Sequence, residues 1–80
     1  MEAPDKWSAV FTNDPGNDYA LTMEISYAEE ILAIVRQNSG TLVVEFYPIS
    51  HAVSAPLDWI IDRLETARID LSKEGTQAEF

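Results

Sequence analysis

Between residues 19 and 27 the chain alternates without a break. Tyr19, Leu21, Met23, Ile25 and Tyr27 are apolar, and Ala20, Thr22, Glu24 and Ser26 between them are small or polar. Successive side chains of a strand point to opposite faces, so a nine-residue run of period two predicts a strand with one buried face. Such a strand needs neighbours to satisfy its backbone and a layer to cover its apolar side. The rest of the chain is read against that requirement.

Neighbours are available on both sides. Residues 7–12 (WSAVFT) predict a first strand with Trp7, Ala9 and Phe11 on one face, and Asn13-Asp14-Pro15-Gly16-Asn17-Asp18 is dense in turn formers. After Ala28-Glu29-Glu30, residues 31–37 (ILAIVRQ) read as a third strand. Asn38-Ser39-Gly40 is a turn signal, and residues 41–47 (TLVVEFY) read as a fourth, with Leu42, Val44 and Phe46 on one face. Connections this short imply a four-stranded antiparallel meander.

The cover comes last. Pro48 ends the fourth strand, and residues 48–55 are long enough to cross over the sheet. Ser54 and Pro56 mark a helix start. Leu57, Ile60, Ile61, Leu64, Ala67 and Leu71 then recur at helical spacing, predicting an amphipathic helix over about 56–71, with 67–71 (ARIDL) as a possible fifth strand. The expected fold is α+β, two layers, with one C-terminal helix packed on one face of the meander. The expected core is Trp7, Leu21, Met23, Ile25, Leu42, Val44, Phe46, Leu57, Ile60, Ile61 and Leu64. One domain over 1–80 is expected, with loose polar ends at 1–5 and 73–80.

On the same helix Asp58, Asp62 and Glu65 align at i, i+4, i+7, flanked by Ile69, and Trp59 falls nearly opposite the apolar stripe. Aligned carboxylates beside an exposed tryptophan have the makeup of a partner-binding surface, because Trp is enriched among interface anchors. The competing expectation is that Trp59 folds over the 48–55 crossover or the tail. Arg68 lies within the stripe, where its stem can cover the core while its head reaches a sheet carboxylate such as Glu24 or Glu45.

Other chemistry is thin. Ser50 precedes the single histidine, His51, and adjacent residues rarely aim their side chains at each other. Asp14, Asn17 and Asp18 lack the spacing of a calcium loop, and Glu29 and Glu30 point apart in extended chain. There is no phosphate loop, dinucleotide fingerprint or zinc spacing, so no cofactor or metal is expected.

Charge narrows the partners. Fourteen acidic residues against five basic ones give a net charge of −9, which repels nucleic acid and anionic membranes and attracts basic surfaces. Hydrophobic residues at 46% exclude a disordered acidic tail. With no cysteine, no signal-like start and no apolar run long enough to span a bilayer, a cytoplasmic location is expected. In size and charge alone, the chain resembles inhibitors of basic enzymes, such as nuclease-immunity proteins. The expected function is a non-catalytic acidic inhibitor or immunity-type protein. Its partner would be a basic protein, possibly a nuclease or nucleic-acid-binding protein, with Asp58, Trp59, Asp62 and Glu65 in contact. The alternative is a small structural or adaptor subunit that homodimerises through a sheet edge or the Trp59 surface.

Overall fold

A computed structural model describes residues 5–77. Four strands, β1 (Trp7–Asp14), β2 (Ala20–Tyr27), β3 (Glu30–Asn38) and β4 (Thr41–Phe46), are followed by one helix, α1 (Leu57–Gln77). The strands form a single antiparallel sheet in chain order, and α1 lies chiefly over β2 and β3, reaching β4 to a lesser extent. The predicted α+β two-layer meander is the fold. Residues 67–71 are helix rather than a fifth strand, and α1 continues through residues 73–77. The remainder of the expected loose ends, at 1–4 and 78–80, lies outside the described residues.

Register follows the alternation. Ala9 pairs with Ile25 and Phe11 with Met23, Met23 with Val35, and Val35 with Val44. The apolar sets of all four strands therefore share the helix side. A bulge between Ile25 and Ser26 slips the β2–β3 pairing by one residue, which leaves both Leu32 and Ala33 against the core. At the β1–β2 connection Asp14 Oδ1 accepts from the Gly16 amide at 3.0 Å, capping a short 3₁₀ turn (Pro15–Asn17).

The other two hairpins close with two residues in the left-handed region. Ala28 (φ 50) and Glu29 (φ 71) join β2 to β3, and Ser39 (φ 56) and Gly40 (φ 84) join β3 to β4. Positive φ at both central positions matches the twist of the strands, and glycine is the residue that adopts it without cost. Only the second turn has a glycine. Glu29→Gly is therefore expected to stabilise the fold by about 1 kcal/mol and Gly40→Ala to destabilise it by about 1–2 kcal/mol. Urea denaturation of the two variants measures both.

The core differs from expectation in how α1 is turned. Trp7, Met23, Ile25, Ala33, Val35, Trp59, Ala67 and Leu71 are buried, and Leu21, Leu42, Ile60 and Leu64 pack partly buried against them. Trp59 is only 2% exposed, whereas Leu57 and Ile61 are 71% and 46% exposed. At about 100° per residue, the helix is rotated about 50° from the orientation that the aliphatic stripe alone specifies. The Trp59 ring stacks tilted on Trp7 with centroids 5.8 Å apart, and Trp7 stacks in turn on Tyr27 at 5.0 Å. Burying one tryptophan gains about as much as burying two aliphatic side chains, roughly 4–5 kcal/mol at about 25 cal/mol/Å². The ring pair adds about 0.5–1.5 kcal/mol beyond area, which tips the balance toward Trp59. Trp7 Nε1 also donates to the Ser54 carbonyl at 3.2 Å, pinning the crossover over the same end of the core.

Candidate functional site on the outer helix face

The rotation of α1 decides which of the expected contact residues reach solvent. Asp58 and Glu65 are exposed, and Asp62 is partly so. Trp59 is not: as a core residue stacked on Trp7 it is unavailable as a surface anchor, which corrects the expected role. Ile69 is the apolar side chain that lies among the carboxylates. It is 48% exposed and falls between Asp58 and Asp62 in angle around the helix, next to Glu65 at i+4.

The carboxylates occupy one stripe, with neighbouring Cβ atoms about 5–6 Å apart. Asp58 lies in the first turn of α1, where the helix dipole favours a negative charge. Arg63 Nε donates to Asp62 Oδ2 at 3.1 Å, and Arg63 Nη2 forms an ion pair with the same oxygen. That hydrogen bond, aided by the guanidinium charge and opposed by partial desolvation, holds the Asp62 carboxyl below the usual carboxylate range. A carboxylate pKa lowered by folding contributes stability above its unfolded value and loses it as pH falls through the folded value. Asp62 is therefore fully ionised at neutral pH.

The remaining candidates are placed as follows. Arg68 is exposed, and of the two sheet carboxylates named for it, Glu24 and Glu45, Glu45 is instead held by Arg36 Nη2 at 2.6 Å. The Tyr47 hydroxyl also donates to Glu45, at 3.5 Å. Ser50 Oγ and His51 Nδ1 do approach each other, at 3.1 Å, contrary to the expectation for adjacent residues. Both lie exposed on the 47–56 connection, and no described hydrogen bond orients the ring from its far side. Among the described residues no group of three or more His, Cys, Asp or Glu side chains is placed to hold a metal ion, and no helix is long and apolar enough to cross a membrane.

A second feature was hidden in the sequence. Between α1 and β4 runs an apolar groove of about 360 Å³, with Leu32, Val44, Phe46, Ile49, Ile60 and Leu64 among its walls. Its signal was present as the strand pattern Leu42, Val44, Phe46, but the pattern marks those residues for burial without saying what buries them.

Comparison of the chain with family models, curated proteins and solved structures finds no match.

Proposed function

We propose that this chain is a non-catalytic, acidic binding protein of the inhibitor or immunity type, which docks on a basic protein through the outer face of α1. The supporting observation is the placement of Asp58, Asp62 and Glu65 on one solvent-facing helical stripe with Ile69 among them, in a chain of net charge −9. Only Asp62 in this trio has a described cation partner. Asp58 and Glu65 each lie one turn from Asp62, and a cationic surface relieves the repulsion along the stripe. Ile69 supplies apolar contact that exposed ion pairs, at about 0–1 kcal/mol each, do not. A basic nuclease or other nucleic-acid-binding protein fits this description, because aligned carboxylates present charge where such a protein expects phosphates. A cytoplasmic location goes with this reading.

The test compares the parent chain with an Asp62→Lys/Glu65→Lys variant. Both are immobilised and exposed to extract of the source cell, and bound proteins are quantified by mass spectrometry. Basic proteins retained by the parent and lost at raised salt should be depleted on the variant. For a purified partner, the variant should associate at least about tenfold more slowly, with a flatter salt dependence. Equal capture and equal association rates on both chains would contradict the proposed surface.

A further inference from the structure

Four residues that the sequence pattern assigns to the core are left in solvent. Val44 and Phe46 on β4 are 39% and 81% exposed, and Leu57 and Ile61 on α1 are 71% and 46% exposed. Their placement follows from the helix rotation. Trp59 points toward Trp7 on β1, and Ile60 and Leu64 face the groove they share with Val44 and Phe46. Continuing around α1 in the same sense brings Leu57 and Ile61 over the β4 side. The groove is therefore one flank of the molecule, built from the edge strand and the side of the helix above it.

β4 is also an unpaired edge. The two-residue turn closes on the Asn38–Thr41 pair, so hydrogen-bonded pairs fall at Asn38–Thr41, Arg36–Val43 and Ile34–Glu45. Leu42, Val44 and Phe46 consequently turn their N–H and C=O groups outward. Val44 and Phe46, whose side chains line the groove, are thus among the residues whose backbones are free. A long, flat, apolar edge of this kind is normally blunted by lysine, proline or a bulge, and none of these lies within residues 41–46.

We propose that this flank is the contact face of a symmetric homodimer, in which two copies of β4 pair antiparallel about Val44 to make one eight-stranded sheet. Side chains directly opposite in an antiparallel pair share a face, so Val44 meets Val44 of the second copy and Leu42 meets its Phe46. This register closes the outward groups into about six main-chain hydrogen bonds. It carries Phe46 to the helix side of the second copy's sheet, beside its Leu42.

Two observations favour a second copy of this chain over another occupant. The first is charge. The copies repel overall, but the flank itself is nearly neutral: Glu45 is neutralised by Arg36, and the helix side carries Arg68 between Leu57 and Ile61 in angle, with the acidic stripe turned further round. The second is area. From the exposures of Val44, Phe46, Ile49, Leu57 and Ile61, the apolar side chains offer on the order of 500 Å² per copy, so two copies reach the roughly 1,000 Å² of a specific interface before the strand edge is counted.

The proposal does not rest on the acidic face and is tested separately from it. The full 80-residue chain is examined by sedimentation equilibrium at about 100 µM, above the micromolar range of a weak interface of this size. The expected mass is twice the 9.0 kDa of one chain. Raising salt should tighten the dimer, since it screens repulsion between two acidic chains, whereas it weakens docking on a basic partner. Phe46→Lys and, on the helix alone, Leu57→Lys should each weaken self-association at least about tenfold with unchanged circular dichroism, because both side chains are exposed in the single copy. The Val44 amide should exchange slowly in the parent and quickly in Phe46→Lys. A single-copy mass for the parent overturns the proposal. So does a dimer that survives both lysine variants and dissociates on Val10→Lys, which would place the contact at the β1 edge.

Discussion

Replacing Trp59 by alanine is expected to cost about 3–5 kcal/mol, the range for emptying a packed tryptophan site. For an 80-residue domain that is most of the stability available. Trp59 is 2% exposed, and its removal takes away the ring stacked on Trp7 as well as the apolar area it covers. The hole opens at the start of α1, beneath the Ser54 anchor of the crossover, so the end of the core where chain entry and helix meet is lost together. The measurement is urea denaturation followed by far-UV circular dichroism, with the Phe46→Lys background used for both proteins so that self-association does not contribute. A loss under about 1 kcal/mol would mean that the ring does not fill the core.

The second large effect is at the other end of the helix. Leu71 is fully buried, and its carbonyl accepts from Gln37 Nε2 of β3 at 2.8 Å. Leu71→Ala is expected to cost about 2–5 kcal/mol. The carbonyl hydrogen bond survives the substitution, so the loss measures packing alone. Were residues 67–71 an exposed strand or a frayed end, the same variant would lie within about 0.5 kcal/mol of the parent. The result therefore separates a helix docked through Leu71 from one that lets go of the sheet after Leu64.

The sheet was legible because period two is a local property. Residues 19–27 carry it without interruption, and the connecting turns are short enough to leave one pairing order. The elements were readable from spacing alone, while the facing of the helix was not. Arg63, Thr66 and Asp70 fall on the same line of α1 as Trp59 and mark that line as polar, whereas Leu57 and Ile61 extend the aliphatic stripe the other way. Which line is buried depends on a contact 52 residues away in sequence, Trp7 against Trp59, and no local pattern records it. Asp58, Asp62 and Glu65 face outward because a rotation of about 50° leaves them outside on either reading. The expected anchor was lost to that same distant contact: Trp59, nearly opposite the aliphatic stripe by spacing, is held inward against Trp7. Val44 and Phe46 fall in a third category. Their pattern predicted core positions, but they are 39% and 81% exposed, because α1 lies chiefly over β2 and β3 and does not cover them.

The rotation of α1 is the centre of this account: it puts Trp59 in the core and leaves Leu57, Ile61 and the β4 flank in solvent. Tryptophan fluorescence of a Trp7→Phe variant tests it most directly, because Trp59 is then the only indole in the chain. A phenyl ring at position 7 keeps an aromatic neighbour for Trp59. The account predicts blue-shifted emission that resists acrylamide quenching and shifts to the red only when the chain unfolds. Emission from the folded variant at the wavelength of the unfolded chain, freely quenched by acrylamide, would place Trp59 in water and contradict it.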